Sequence, residues 1–274
     1  MPCMLSVVST AATCKGDKVS DIVRYEERGD VAIITLNRPE SMNSFNTELR
    51  ADVVDALERA RDDDAVRAIV FTGEGRCFSA GADLKAGIDR DVEEILQTEY
   101  RPVQEAIASI PKPIVAAIPG SAAGIGMSMA LQCDLVLMAD NAFLLSPFTT
   151  ISLVPDGGLN WILVRQLGYR RAFQLSVEAE RIPAERCVEL GLANKAVPAE
   201  ALQQTALEWA ETLAQRAPLS LAATKKVMRF ACDHSWEDSY DLEARLQGEL
   251  LGTEDNKEGI QAFLEKRKPA FRGE

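Results

Sequence analysis

Two glycine-rich segments about forty residues apart carry the chemistry most easily read from this chain. The first is Cys77-Phe78-Ser79-Ala80-Gly81-Ala82-Asp83-Leu84, and the second runs Ala117-Ile118-Pro119-Gly120-Ser121-Ala122-Ala123-Gly124-Ile125-Gly126. Each follows an apolar run that reads as a buried strand, and each is expected to enter a helix. Glycine lets the backbone come close to a ligand, and a helix start leaves N–H groups unpaired. Two such groups aimed at one oxygen would make an oxyanion hole. Tight strand–helix turns account for the same glycines on residue type alone.

Other catalysts are scarce. The chain has one histidine, His234, in the charged stretch Asp233-His234-Ser235-Trp236-Glu237, and no G-x-S-x-G elbow. A Ser-His-Asp or Cys-His catalyst would depend on that residue, which reads as a surface group near a helix start. The six cysteines (Cys3, Cys14, Cys77, Cys133, Cys187, Cys232) are scattered without a CxxC pair. They are expected to be reduced thiols in a cytoplasmic protein, with no metal site. A net charge of −12 over 274 residues argues against nucleic acid and anionic membranes. No apolar run approaches the roughly 20 residues of a membrane span. Any anionic ligand would need a local basic cluster, for which Lys266-Arg267-Lys268 is the candidate.

The elements that must position these segments follow from periodicity. Residues 23–27 and 31–36 flank Arg28-Gly29-Asp30 as a hairpin. Asn46 or Thr47 caps an amphipathic helix with Leu49, Val53, Ala56, Leu57 and Ala60 on one face. Strands are expected at 66–72, 114–118, 135–139 and 142–145, a helical region at 86–110 and a short buried helix at 126–132. Beyond Asp156 the pattern turns helical, at 161–167, 172–177, 184–190, 199–215, 219–230, 237–251 and 253–268. Residues 1–20 read as a disordered extension. By composition and pattern the chain is α/β.

Several landmarks in order are similar to the crotonase (enoyl-CoA hydratase/isomerase) family: Leu36-Asn37-Arg38-Pro39-Glu40 with Asn43, then Phe78 to Leu84, then Pro111-Lys112-Pro113-Ile114-Val115-Ala116. Cys133-Asp134-Leu135, Gly191-Leu192-Ala193 and Glu265-Lys266-Arg267-Lys268-Pro269 follow. The resemblance covers about 23–271. It implies a crotonase-like spiral of ββα units over 21–198 and a helical, trimer-forming region over 199–274. It further implies an acyl-CoA thioester as substrate, with coenzyme A as its carrier and no other cofactor, and a homotrimer or hexamer. The implied oxyanion donors are the N–H groups of Ala82 and Ile125, the latter where many hydratases carry glycine. Ala80, Ala82, Asp83, Leu84 and Lys85 would line the acyl-CoA channel, and Phe263 and Lys266 would reach the nucleotide end, on the same subunit or a neighbour.

The resemblance also bears on the acid–base group. Hydratases of the family use two glutamates, and the matching positions here are Ser128 and Phe148. Neither side chain can act as a general acid or base near neutral pH. Asp156, in Leu153-Val154-Pro155-Asp156-Gly157-Gly158, stands where several enoyl-CoA isomerases of the family carry a Glu or Asp catalyst. Pro-Asp-Gly is equally a turn sequence, in which the aspartate would only cap or turn the chain. Asp134 is expected to satisfy backbone N–H groups, and Cys133 lacks a base. The favoured expectation is a shift of a double bond from 3-enoyl-CoA to 2-enoyl-CoA. A hydratase with atypical water activation and a catalytically silent CoA-binding paralogue stand as alternatives.

Overall fold

The computed structural model describes residues 20–85, 87 and 90–274, so all but the last residue of the expected extension lies outside it. Strands β1 (Val23–Arg28) and β2 (Val31–Leu36) form the expected hairpin, turning at Gly29 with φ +57°. Helix α1 (Thr47–Asp62) is capped by Asn46, whose side chain accepts the Leu49 N–H at 2.9 Å. The five apolar residues expected on one face are all buried.

From there the chain repeats one unit: a strand, a second short strand and helix. The first unit has β3 (Ala68–Gly73) and β4 (Cys77–Ser79). Its helical part runs through α2 (Val92–Ile95), a wide π turn (Leu96–Tyr100) and α3 (Arg101–Ser109). The next has β5 (Ile114–Ile118), β6 (Ser121–Ala123) and α4 (Ile125–Gln132). A third has β7 (Leu135–Ala139), β8 (Phe143–Leu145), α5 (Leu159–Leu167) and α6 (Tyr169–Glu178). Then come β9 (Ile182–Pro183), α7 (Ala184–Glu189) and β10 (Lys195–Val197). Four helices close the chain: α8 (Leu202–Ala214), α9 (Pro218–Ala231), α10 (Trp236–Leu250) and α11 (Glu254–Glu265).

In each unit the first strand joins one sheet and the second joins another. The sheets run β1-β2-β3-β5-β7-β10 and β4-β6-β8-β9. Pairing is parallel except for β1 with β2 and β8 with β9. The result is the α/β spiral of ββα units. Every residue of β3 and β5 is buried, which is why both read as largely apolar runs, with Thr72 of β3 donating its hydroxyl to the Ala117 carbonyl. Helix α8 packs on these two strands, its Leu202, Ala206, Ala210 and Ala214 buried.

The structure departs from expectation at the first glycine segment, which does not run into a helix. Residues 83–85 and 87 are irregular, and the next described helix starts at Val92. The three-residue strands β4 and β6 were also not expected, being too short for any period to show.

Two polar clusters, one buried and one half-buried, tie the spiral together. Asn43, fully buried with φ 53°, accepts the Arg38 N–H at 2.9 Å. Its amide donates to the carbonyls of Glu74 and Cys77, both at 3.0 Å, which locks the loop after β2 to the start of β4. At the other end of the sheet Asp134 accepts the Ile114 N–H at 2.9 Å, Lys225 at 2.8 Å and Arg229 at 2.9 Å. That pins α9 to β5 and β7, the structural part expected for this aspartate. Among the described residues no helix is long and apolar enough to cross a membrane.

Asn43→Ala removes the partners of three backbone groups in a sealed site, each worth roughly 1–3 kcal/mol when left unpaired. Denaturant unfolding of this variant is expected to lose about 3 kcal/mol or more against the parent. A midpoint unchanged within error would show that the loop is held by other means.

Candidate active site

The first candidate donor is set by a register. Ser79 is buried and donates to the Asn43 carbonyl at 2.8 Å, while accepting the Gly81 N–H at 3.1 Å. Ala80 N–H then bonds Met42 O at 2.9 Å, Phe45 N–H bonds Gly81 O at 2.8 Å and Asp83 N–H bonds Phe45 O at 3.1 Å. This is a single parallel bridge between Phe45 and Ala82. In such a bridge the residues before and after Ala82 face the partner, so the N–H of Ala82 points to the other side. Gly81, at φ +100°, makes the bend.

The second is a helix start. Gly124, at φ +54°, donates to Leu145 O at 3.0 Å and accepts from Met127 and Ser128. Ile125 is the first residue of α4, where an N–H has no intrahelical partner. Among the described residues neither Ala82 N–H nor Ile125 N–H bonds a backbone carbonyl outside its own helix or strand. The two segments touch because glycines let them. A Cβ on Gly81 would lie 2.9 Å from Ala123 O and 3.6 Å from the Ile125 nitrogen. One on Gly126 would lie 2.7 Å from Ser79 Cβ. Two unpaired N–H groups side by side are the geometry an oxyanion hole requires.

Ile125 is buried, and its side chain packs against the turn at Gly157, where a Cβ would lie 2.9 Å from Ile125 Cγ1. The side chain therefore supports the turn that carries Asp156. That turn uses two glycines with positive φ, Gly157 at +61° and Gly158 at +80°. The Asp156 carbonyl accepts the Leu159 N–H at 3.1 Å and the Ser128 hydroxyl at 3.0 Å. Its carboxylate is another matter. Oδ1 is buried with no hydrogen-bond partner, and no side chain caps α5. Burial pushes the carboxyl up to about 6. Asp156 and Asp83 both act on the phenol of Tyr100, which burial already makes a weaker acid. The turn, the first loop and Tyr100 thus share one region.

The positions matching the hydratase glutamates lie in the same place. Ser128 is fully buried, its hydroxyl spent on the Asp156 carbonyl. Phe148 is buried with its Cζ 3.8 Å from where a Cβ would stand on Gly124. Neither supplies a proton.

The channel residues fall partly at the site. Burial alone would raise the Asp83 carboxyl. The Arg38 guanidinium at 3.1 Å and the Lys85 amide at 3.2 Å outweigh burial and hold it below the usual range. Ala80 is half-buried, and Leu84 and Lys85 are exposed beside it. Phe263 and Lys266 stand exposed on and just after α11. The tail beyond α11 is tied down by the Asp255 carboxylate, which accepts the Arg272 and Gly273 amides at 2.7 and 2.8 Å. Phe271 O accepts Arg67, which precedes β3, whereas the oxyanion segments follow the strands' C-terminal ends. Among the described residues, no hydrogen bond joins Phe263 or Lys266 to those segments.

Other candidates fall away. Cys133 is buried and burial pushes its thiol up to about 12. His234 is exposed and stacks on Phe230 with ring centroids 3.5 Å apart. Among the described residues no group of three or more His, Cys, Asp or Glu could hold a metal. The cleft of about 570 Å³ between the end of α3 and helices α9 and α10 contains none of the site groups. Sequence reasoning missed Arg50 and Tyr100. The only trace of Arg50 is a charge directly beside Leu49 on the apolar stripe of α1.

The family model for enoyl-CoA hydratase/isomerase matches residues 26–274, and the chain belongs to that family of enzymes. A Rhodobacter capsulatus protein named "Probable enoyl-CoA hydratase" is 43% identical, covering 92% of this chain and 98% of its own. The 1,2-epoxyphenylacetyl-CoA isomerase of Escherichia coli is 35% identical over the same shares. The crystal structure of an enoyl-CoA hydratase from Polaromonas superposes with a TM-score of 0.86 at 35% identity, covering 91% of this chain and 99% of its own.

The Asp156 carboxyl has a stability signature whose sign follows from its direction of shift. The folded chain holds this proton up to about pH 6, against an ordinary value of 3.8. Ionisation is therefore disfavoured in the fold, and stability falls as pH rises from below 4 through 6. Roughly two units correspond to at most about 3 kcal/mol. Asp156→Asn is expected to melt a few degrees above the parent at pH 8, with the gap closing by about pH 4. An equal or lower melting point at pH 8 would mean that the carboxylate is solvated or paired.

Proposed function

We propose that this enzyme moves a double bond, converting a 3-enoyl-CoA into the conjugated 2-enoyl-CoA through an enolate held in an oxyanion hole. One observation carries the reading: Asp156 is an unpartnered, half-buried carboxylate with its proton affinity raised to about 6, on a turn packed against the Ile125 donor. In the proposed reaction the thioester oxygen accepts the N–H groups of Ala82 and Ile125. Asp156 takes a proton from C2, the electron pair moves into the dienolate, and the same carboxylic acid returns the proton to C4. A base with affinity near 6 is ionised at neutral pH, yet its conjugate acid remains strong enough to give the proton back. Removing one oxyanion donor typically costs about 100- to 1000-fold in rate.

Ser128 acts in this reading through Asp156, by fixing the carbonyl of the turn. Phe148 walls the hole with an apolar ring. Ala80, Ala82, Asp83, Leu84 and Lys85 would line the CoA channel. Phe263 and Lys266 would meet the nucleotide from a second copy of the chain, in a homotrimer or hexamer. The relative named as a hydratase at 43% identity favours a second reading, water addition to a 2-enoyl-CoA. That reaction would have only Asp156 to activate water, since Ser128 and Phe148 replace both glutamates.

The purified protein is to be given a 3-enoyl-CoA and, separately, a 2-enoyl-CoA, following the conjugated thioester absorbance. A gain with the first and no loss with the second is the expected result, and loss with the second selects hydration. For the isomerase, kcat/KM is expected to rise through about pH 6 and then level off. Asp156→Asn is expected to lower kcat by about 1000-fold or more, near the upper range for a positioned acid–base group. Ser128→Ala should cost about tenfold, the scale of one lost hydrogen bond. Full activity in Asp156→Asn would sink the assignment.

A further inference from the structure

The carbonyl of Phe45 is the pivot of the first loop. It accepts the Asp83 N–H at 3.1 Å, and together with the Phe45 N–H on Gly81 O this bond turns the Ala82 N–H outward. The same carbonyl takes two donors from elsewhere: Arg50 Nη1 at 3.2 Å and the Tyr100 hydroxyl at 3.4 Å. Arg50 also bonds Tyr100 Oη at 2.9 Å, and its guanidinium lies over the Tyr100 ring, 4.4 Å from the centroid. Its Nη2 meets Thr47 Oγ1 at 2.9 Å and Glu99, and its Nε meets Glu99 at 2.9 Å. All five N–H donors of this buried cation are therefore used.

Glu99 holds Arg50 with one oxygen and Arg90 with the other. Arg50 lies before the loop that carries Ala82 and Arg90 lies after it. Tyr100 ends the π turn, an irregularity common at functional sites. A helix surface would not need a buried guanidinium with every donor satisfied. A carbonyl that must stay fixed while its neighbour carries developing charge does.

We propose that Arg50, with Tyr100 and Glu99, is the positioning set of the first oxyanion donor: by holding the Phe45 carbonyl it fixes the direction of the Ala82 N–H. The assignment rests on Ala82 being a donor. Lysine cannot replace this arginine, because it lacks the fork that reaches Phe45, Tyr100, Thr47 and Glu99 together.

The test uses the full chain as Arg50→Lys, which keeps a cation beside Glu99, and Tyr100→Phe, which removes only the hydroxyl. Two readouts are taken: kcat and KM on a 3-enoyl-CoA, and the red shift of a bound 3-aryl-2-enoyl-CoA, whose conjugated carbonyl reports polarisation without turnover. Arg50→Lys is expected to lower kcat at least about tenfold with KM within about threefold, and to cut the red shift by about half, as one of two donors loses its aim. Tyr100→Phe should move both the same way by less. A lower melting temperature with the shift per bound ligand unchanged would make the cluster merely structural and overturn the proposal. So would parental kcat and shift in both variants. A parent that gives the shift but no turnover defeats the isomerase reading and leaves this one standing, whereas a parent without the shift defeats both.

Discussion

The close approach of two backbone segments governs this site, and most of its other features follow from it. Helix α4 lies so near Ser79 that position 126 has no room for a Cβ, and the Ala123 carbonyl, two residues before the Ile125 amide, lies so near Gly81 that position 81 has none either. Strands β4 and β6 are parallel neighbours, so their C-terminal ends arrive side by side. One segment then leaves as a loop and the other as a helix. Each exposes an N–H for a different reason, the first through its register with Phe45 and the second through lying at a helix start. Backbone donors so placed cannot be removed by substitution of their own side chains. The fold protects them by filling the space behind them with satisfied polar groups: Ser79, Asn43 and Arg50 are all buried.

The carboxylates of the chain are separated by environment rather than by type. Asp83 is held ionised by Arg38 and a backbone amide, and Asp134 is saturated by Lys225, Arg229 and Ile114. Glu99 bridges two arginines. Asp156 alone of these four has a buried oxygen without a partner, and burial raises its affinity for a proton. Environments that drive similar groups apart in this way mark acid–base assignments. The cost is borne locally by the turn at Gly157 and Gly158.

Much of this was legible in the sequence. The runs at β3 and β5 are apolar but for Thr72 because both faces are covered, and the second glycine segment does open a helix. The first segment looked the same by composition but enters none. What frees Ala82 is a one-residue bridge to Phe45, some forty positions away, and pairing at that distance leaves no local period. Arg50 was hidden for the converse reason: a charge beside an apolar helical stripe usually lies at the water's edge, and here it does not. Pro-Asp-Gly was ambiguous between a turn and a catalyst. The geometry separates the two, since the turn is made by the Asp156 carbonyl and the two glycines, which leaves the carboxylate uninvolved.

That separation bears on why a serine stands at 128. The turn packs so close that a Cβ on Gly157 would lie 3.1 Å from Ser128 Cβ, and the Ser128 hydroxyl reaches only as far as the Asp156 carbonyl. A glutamate at 128 would have to place three more heavy atoms where this backbone runs. The turn that carries the Asp156 carboxylate therefore excludes another from the adjoining helix. In the proposed reading, serine at 128 and a carboxylate at 156 are two consequences of how the loop before α5 packs on α4. At the remaining position Phe148 puts an apolar ring by Gly124, where a second carboxylate would have raised the affinity of the first for its proton still further or competed for that proton. In the proposed isomerisation this one half-buried carboxylate, with no second acid at Ser128 or Phe148, would take a proton from one carbon and return it to another.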